Sequence, residues 1–201
     1  MLKFFRSKNV TKFVLWIIII LILPAFVLFG TERLSLKKGP KFAGFINSKK
    51  VSFDALYESM IAVRSQLILN YWNNAEKIKE VANDRPLIAK LAWERLIMLS
   101  EAKKNKIVVT DRELTDYLRN HPIFLRNGSF DDKLYQYILQ HNIGLSPRSF
   151  EEIVRKNLQV IKLKAAALKE GNAKEDEWLA RISAGAKPNI DFNEIDKYYK
   201  Q

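Results

Sequence analysis

The sequence contains no cysteine and only two histidines, His121 and His141. The lack of cysteine excludes disulfides and cysteine-ligated metal sites within the chain. The two histidines stand apart from each other in predicted turns, where we expect solvated rings rather than a metal or catalytic site. There is also no G-x-S-x-G motif, no H-E-x-x-H motif and no glycine-rich phosphate loop. We therefore predict no catalytic residue, no cofactor and no bound metal.

Paired carboxylates are the remaining feature that could indicate acid–base chemistry. The pairs Asp131-Asp132 and Glu151-Glu152 both fall in predicted first turns of helices. Acidic side chains are favoured at that position by the helix dipole. These pairs are therefore interpreted as structural, and the chain is expected not to be an enzyme.

The charge is strongly positive but mixed in sign. The formal net charge is +12, and residues 1–30 contain four basic residues and no acidic one. After residue 30, basic and acidic residues alternate along predicted helix faces, as on a solvated surface. No RNP-like run or zinc spacing accompanies the charge, so we expect no nucleic-acid partner. The alternative binding partner for a basic face near a membrane is the layer of anionic lipid headgroups.

Residues 13–30, FVLWIIIILILPAFVLFG, form the only long run without a charged or strongly polar side chain. A helix of this length covers roughly 27 Å, close to the hydrocarbon thickness of a bilayer. No pair of small residues suited to signal cleavage precedes Gly30. The run is therefore predicted to be an uncleaved single transmembrane helix, with a basic segment 1–12 before it and a linker 31–41 after it.

The orientation of this segment is only weakly indicated by charge. Four basic residues precede the run, but four more follow it within the linker, with only Glu32 to oppose them. By the positive-inside rule, this small difference in charge slightly favours a cytoplasmic N-terminus.

The rest of the chain, 42–201, has the periodicity of helices. Ser52 is a predicted N-cap, and the apolar residues after it follow helical spacing in two stripes: Phe53, Leu56, Met60, Val63 and Leu67, then Tyr57, Ile61, Ile68 and Trp72. A bend is expected within 70–74. Pro86 opens a helix that is apolar nearly all round over 87–102, which belongs at the centre of a helical domain.

Three further helices are predicted from their caps. Thr110 and Glu113 form a capping box, Ser129 starts the next helix after a loop over 123–128, and Ser146-Pro147 opens a long one. The core stripe of that long helix is expected to comprise Phe150, Ile153, Val154, Leu158, Ile161, Ala165 and Leu168.

Two short strands are predicted near the ends of this domain. Residues 42–46 and 186–190 have strand character, and Pro188 restricts the second to an edge. A turn is expected over 47–50, amphipathic helix around Trp178, and a short helix over 192–199. The predicted fold is mainly α: one transmembrane helix, then an irregular multi-helix domain with a small two-stranded pairing of about 42–46 with 186–190.

Four apolar residues fall at predicted bends or loops instead of on the central stripes. Tyr71 and Trp72 lie at the expected bend, and Ile123 and Phe124 follow Pro122. Apolar side chains at such places are candidates for a groove that accepts extended, apolar segments of other proteins. We therefore predict that Tyr71, Trp72, Ile123 and Phe124 contact such segments.

Four stretches of the chain together resemble the N-terminal chaperone domain of the SurA/PpiD periplasmic foldases. They are KKVSFDALYESM (49–60), LIAKLAWERLIMLSEAKKNKI running into VVTDREL (87–114), HPIFLRNGSFDDKLYQYIL (121–139) and NIGLSPRSFEEIVRKNLQVIKL (142–163). The resemblance covers about 42–168, and an uncleaved anchor is PpiD-like. These motifs are distributed patterns and not catalytic signatures.

The resemblance implies a periplasmic chaperone that binds unfolded exported polypeptides, including outer-membrane proteins. Many members also carry a parvulin prolyl-isomerase domain, which would be expected after Leu168. Instead, DEWLARISAGAKPNI (176–190) resembles the strand-bearing return that closes the chaperone domain. We therefore expect 42–201 to be a chaperone domain without the isomerase.

The leading hypothesis is a membrane-tethered, ATP-independent holdase for unfolded or nascent exported proteins. It implies a single-pass inner-membrane protein with a cytoplasmic N-terminus and most of the chain in the periplasm. The alternative is a scaffolding protein that binds one fixed membrane partner, near the translocon. A prolyl isomerase is the weakest alternative.

Overall fold

The structure is a computed structural model that describes residues 42–170 and 175–199. These residues belong to one unit of the chain, Pro40–Gln201. Within them, no helix combines the length and the apolar character needed to cross a bilayer. The basic segment 1–12, the expected anchor 13–30 and the linker 31–41 lie outside the described residues.

Helices make up most of the described part of the chain. The strands are β1 (Gly44–Ile46), β2 (Lys49–Val51), β3 (Leu125–Arg126), β4 (Ser129–Phe130) and β5 (Ala186–Pro188). The helices are α1 (Phe53–Asn70), α2 (Ala75–Asn83), α3 (Arg85–Lys104), α4 (Asp111–Asn120), α5 (Asp132–Ile138), α6 (Pro147–Glu170), α7 (Glu175–Ser183) and α8 (Phe192–Tyr199). A 3₁₀ turn (Pro122–Phe124) precedes β3, and a π-helical turn (Leu139–Ile143) follows α5.

The predicted pairing of the domain's two ends is present and is extended by one strand. β1 pairs antiparallel with β5, with Phe45 opposite Lys187, and also with β2. The order β2-β1-β5 places Pro188 on an edge, as predicted. The turn expected over 47–50 is shorter, because Asn47 and Ser48 take positive φ and form a two-residue hairpin turn. Lys49 and Lys50 therefore belong to β2.

Helix α3 is central, as its all-round apolar sequence predicts. It packs against α1, α6 and α7, and its residues Ile88, Ala92 and Trp93 are buried in one cluster with Leu56 and Met60 of α1. The predicted first stripe of α1 faces this cluster. Asp84 accepts from the backbone N–H of Leu87 at 3.0 Å and so caps α3 beside the proline in its first turn.

A second cluster forms where α4, α5 and α6 meet. The capping box predicted at the start of α4 is present, with Thr110 and Glu113 bonding each other's backbone N–H groups. Phe150 and Val154 of α6 are buried there with Phe124 and Tyr135. Two residues of the predicted α6 stripe, Ile161 and Ala165, are exposed instead, and Leu163 takes up the buried position.

Two elements differ from the prediction. Ser129 does not start a helix: it pairs with Arg126 in the β3–β4 hairpin across Asn127-Gly128, and Asp131 caps α5. Both turn residues have positive φ, the conformation that Asn-Gly favours between short strands. Helix α2 was not predicted at all. It is short, none of its residues is fully buried, and its apolar residues are few, although Val81 packs against the first cluster.

Candidate functional site

An open groove of about 590 Å³ lies between the C-terminal end of α1, helix α2, the 3₁₀ turn and helix α5. We call it the Trp72 groove. Its lining is mainly aliphatic, and it comprises Ile68, Trp72, Ala75, Ile78, Lys79, Pro122, Ile123, Leu125, Leu134, Ile138 and Asn142. A surface of this composition offers apolar contact area with few polar groups to orient a ligand.

The bend between α1 and α2 positions Trp72. Ile68 and Trp72 are four residues apart, so they lie on the same side of the chain where α1 ends. Asn74 then accepts from the backbone N–H of Lys77 at 3.0 Å and starts α2, which brings Ile78 to the groove. The indole of Trp72 is 50% exposed, although large apolar side chains are normally buried.

The structure brings together two of the four predicted contact residues. Trp72 and Ile123 line the same groove although they are distant in sequence. Tyr71 is not among the lining residues, and the ammonium of Lys77 lies 5.3 Å from the centre of its ring. Tyr71 thus points to a separate part of the surface.

The prediction for Phe124 is wrong. Its side chain is fully buried, and its ring lies 5.1 Å from Tyr135, 6.1 Å from Phe150 and 6.3 Å from Phe130. These edge-on aromatic contacts form the centre of the second core cluster. The 3₁₀ turn sends consecutive side chains to different sides, so Ile123 lines the groove and Phe124 supports it from within.

Tyr135 stands beside Phe124 and ends in a polar contact. Its hydroxyl donates to the Glu151 carboxylate at 3.2 Å. Burial, together with the nearby negative charge of Glu151, raises the pKa of Tyr135 above its usual range. Glu151 thus has a hydrogen-bond partner. The placement of the Glu151-Glu152 pair in a first helical turn is wrong, because the helix begins at Pro147 and its first turn contains no acidic residue.

His121 is not the solvated ring that we expected. It lies between the rings of Tyr117 and Phe124, at 5.5 and 5.7 Å, and its Nδ1 is buried without a hydrogen-bond partner. Burial lowers the pKa of His121 below 6.5, because desolvation penalises the imidazolium. His141, in contrast, is exposed, next to the ring of Tyr137 at 4.5 Å.

Several groove residues were missed because sequence spacing assigns them to the core. Leu134 and Ile138 lie in the helix predicted after Ser129, where apolar residues at helical spacing are typical of a core, and Ile78 lies on the helix that was not predicted. The one available signal was the second apolar stripe of α1, which ends in Ile68 and Trp72. A helix with two apolar stripes has more apolar surface than one core contact covers.

The groove has little that could perform chemistry. Among the residues that the structure describes, Lys79 is the only charged one in its lining, and no carboxylate lines it. Among the described residues, no group of three histidine, aspartate or glutamate side chains is placed to hold a metal ion. The arrangement is suited to apolar binding rather than to catalysis.

The comparison with known families agrees with the resemblance seen in the sequence. The family model described as the SurA-like N-terminal domain matches residues 1–164. No curated protein and no solved structure matches the chain. The family match spans far more than half of the 201 residues, and the chain therefore belongs to the family of the SurA-like N-terminal domain.

Proposed function

We propose that this chain is a membrane-tethered, ATP-independent chaperone that binds extended apolar segments of unfolded exported polypeptides. Binding would be reversible shielding of these segments from water, with no covalent step. Membership of the family of the SurA-like N-terminal domain supports such a role, because the chain resembles the chaperone domain of the periplasmic foldases. The described residues add a surface on which such binding would take place.

The Trp72 groove is the observation that carries this proposal. It is open, mainly aliphatic and edged by a half-exposed tryptophan. Burying apolar surface stabilises a complex by about 25 cal/mol per Å² before the entropic costs of association. Since few polar groups line the groove, it would accept many apolar sequences with little discrimination, which is what a holdase requires.

The tether and the compartment rest on the N-terminal sequence. The apolar run 13–30 is long enough to span a bilayer, and the family match begins at residue 1 and so includes it. We infer a single-pass anchor with residues 1–12 in the cytoplasm, 31–41 as a linker and 42–201 as the periplasmic chaperone domain. Protease added to spheroplasts is expected to digest this domain, and a domain protected until the membrane is lysed would contradict the orientation.

Scaffolding of one fixed partner near the translocon is the competing function. It predicts saturation by a single protein at a fixed stoichiometry, whereas a holdase interacts with many unrelated chains. Prolyl isomerisation is tested separately by turnover of a proline-containing model peptide by the full chain, and we expect none. Turnover would contradict the proposed mode of action by binding alone.

The experiment that tests the proposal is suppression of aggregation by the full-length chain in detergent. Several unrelated proteins, unfolded in denaturant and then diluted, are the clients, and light scattering measures their aggregation. The double variant Trp72→Ala/Ile123→Ala is expected to lose most of the suppression, because both side chains line the groove.

Tyr137→Ala is the matched control. Tyr137 is an aromatic residue with a 59% exposed side chain, and it is not among the residues that line the groove. We expect this variant to suppress aggregation as well as the wild type. Equal suppression by the double variant and the control would show that the groove is not the client site.

A further inference from the structure

Arg95 is a buried cation in the middle of the central helix α3. Only 8% of the residue is exposed, although arginine is almost never buried without a partner of opposite charge. It lines two grooves, each formed largely by residues of α1, α3 and α6, one of about 480 Å³ and one of about 580 Å³. We call the first the Asn157 groove and the second the Glu152 groove, each after a residue of α6 in its lining.

Neutral groups are the hydrogen-bond partners of the Arg95 guanidinium. Nε donates to Oδ1 of Asn157 at 2.8 Å, and Nη1 donates to Oγ of Ser59 at 3.5 Å. Nη2 is buried and has no hydrogen-bond partner. In the part of the chain that the structure describes, Arg95 forms no ion pair with a carboxylate. Burial lowers the pKa of Arg95 to about 10.

This arrangement lowers the stability of the folded protein as long as no ligand is bound. A buried charge is tolerated when it is paired and fully hydrogen-bonded, and here one terminal nitrogen is not. Guanidinium presents a planar fork of donors that matches a carboxylate bidentately. Asn157 occupies only one branch of that fork, with a neutral oxygen, and its own Nδ2 donates to Oε1 of Gln66 at 2.8 Å.

The charges around Arg95 favour one of the two grooves for an anion. The Glu152 groove is lined by Glu58 and Glu152 as well as by Lys156, which pairs with Glu152 at 3.6 Å, so carboxylates offset the basic side chains there. Among the residues that the structure describes, no acidic side chain lines the Asn157 groove. Its other walls include Val63, Leu67, Met98, Val160 and the 51% exposed Ile161, which suit apolar neighbours of the anion.

We propose that Arg95 binds a carboxylate of a polypeptide in the Asn157 groove, where the carboxylate replaces the amide oxygen of Asn157 and also reaches Nη2. A carboxylate would supply the opposite charge that the neutral amide oxygen of Asn157 does not, and it could accept two parallel bonds from the guanidinium. The inference rests on the proposed function, because it names a chemical feature of the bound chain. The carboxylate is either the C-terminus or an aspartate or glutamate side chain.

The first test uses acetate as the smallest carboxylate probe, on the full-length chain in detergent. Sodium acetate at about 200 mM is expected to raise Tm by about 2–4 °C relative to sodium chloride at equal ionic strength, since a ligand of the folded state stabilises it. Arg95→Met is expected to abolish this rise. Arg112→Met removes the same charge from an exposed site on α4 and is expected to retain it.

Asn157→Asp provides a second variant that does not remove the arginine. It places a carboxylate on the chain at the position that the ligand would take, so we expect a higher Tm and no further rise with acetate. The absence of an acetate effect in the wild type, or its persistence in both Arg95→Met and Asn157→Asp, would overturn the inference.

Peptides then distinguish the two sources of the carboxylate. The probes are a fluorescent leucine- and alanine-rich hexapeptide with a free C-terminus, its C-terminal amide, and the amide with one internal glutamate or glutamine. We expect the matching carboxylate to tighten Kd by about tenfold in the wild type and not in Arg95→Met. Equal Kd values for acid and amide forms overturn the inference and leave the proposed function in place, while an acetate effect without binding of any peptide contradicts both.

Discussion

Gly44 lies where the surrounding packing leaves no room for a side chain. Its φ is +141°, and a Cβ built there would lie 2.6 Å from the Trp93 ring and against the Lys187 carbonyl oxygen. Gly44→Ala is therefore expected to lower the free energy of unfolding by about 2–4 kcal/mol, through backbone strain and overpacking together. Urea unfolding of the full chain measures this loss.

Gly128→Ala separates the two causes. Gly128 also has positive φ, at +79°, but a Cβ there would have no heavy atom within 4 Å. It is expected to cost only the backbone strain, about 1 kcal/mol. If the two variants lose the same stability, the close contact between β1, β5 and Trp93 is not the reason that Gly44 is required.

His121 gives the protein a pH dependence that we can assign in direction. Its folded pKa is depressed by burial, whereas in the unfolded chain it is near 6.5. Between these two pKa values the unfolded state binds more protons, so stability is greatest above about pH 6.5 and falls as the pH decreases. Urea unfolding at pH 7.5 and at pH 5.5 should show the difference.

Replacing the two histidines in turn identifies the source of this effect. His121→Phe keeps a ring between Tyr117 and Phe124 and should remove most of the pH dependence. His141→Phe changes an exposed ring and should leave it in place. An unchanged pH dependence in His121→Phe would show that another group is responsible.

At the scale of elements, hydrogen bonds from one face of α6 hold the extended link between α3 and α4. Arg155 donates to the carbonyl of Val109 at 2.8 Å, Lys162 to that of Val108 at 2.8 Å, and Gln159 to that of Ile107 at 3.2 Å. The three donors are spaced by four and three residues, so they share a helix face. Arg155 and Lys162 also pair with Asp111 and Glu113 at the start of α4, both at 2.6 Å.

Removing one of these donors should weaken the packing of α4 and its preceding link against α6. Arg155→Met leaves the carbonyl of Val109, a buried residue, without this donor, and we expect a loss of about 1–3 kcal/mol in the free energy of unfolding. Lys156→Met is the control, since Lys156 forms only an exposed ion pair with Glu152. Similar losses for both variants would mean that the hydrogen bonds from α6 to the link contribute little to the free energy of unfolding.

Elements defined by local signals were predictable. The capping box at Thr110, the N-cap at Ser52 and the apolar helix after Pro86 follow from side chains within a few residues of one another. The β3–β4 hairpin was missed because its Asn127-Gly128 signal was read as part of a loop. Helix α2 was missed because it is short and its apolar residues, such as Ile78 and Val81, are too few to stand out from the polar sequence around them.

At the scale of the whole domain, the grooves depend on tertiary contacts that no local pattern encodes. The Trp72 groove combines α1, α2, the 3₁₀ turn and α5, and only Trp72 and Ile123 could be nominated from their positions at bends. Phe124 has the same sequence character as Ile123, yet the turn directs it into the core. Arg95 is one of the few charges on an apolar predicted helix, and its burial becomes visible only when α1 and α6 are in place.

The central claim is that many unrelated exported chains bind in the Trp72 groove, and crosslinking in intact cells tests it most directly. A photoreactive amino acid replaces Trp72 in the full-length chain, and the same amino acid at Tyr137 is the control. We predict that position 72 crosslinks to many different exported proteins and that position 137 crosslinks to few. A single stoichiometric partner at position 72, or equal crosslinking at the two positions, would contradict the account.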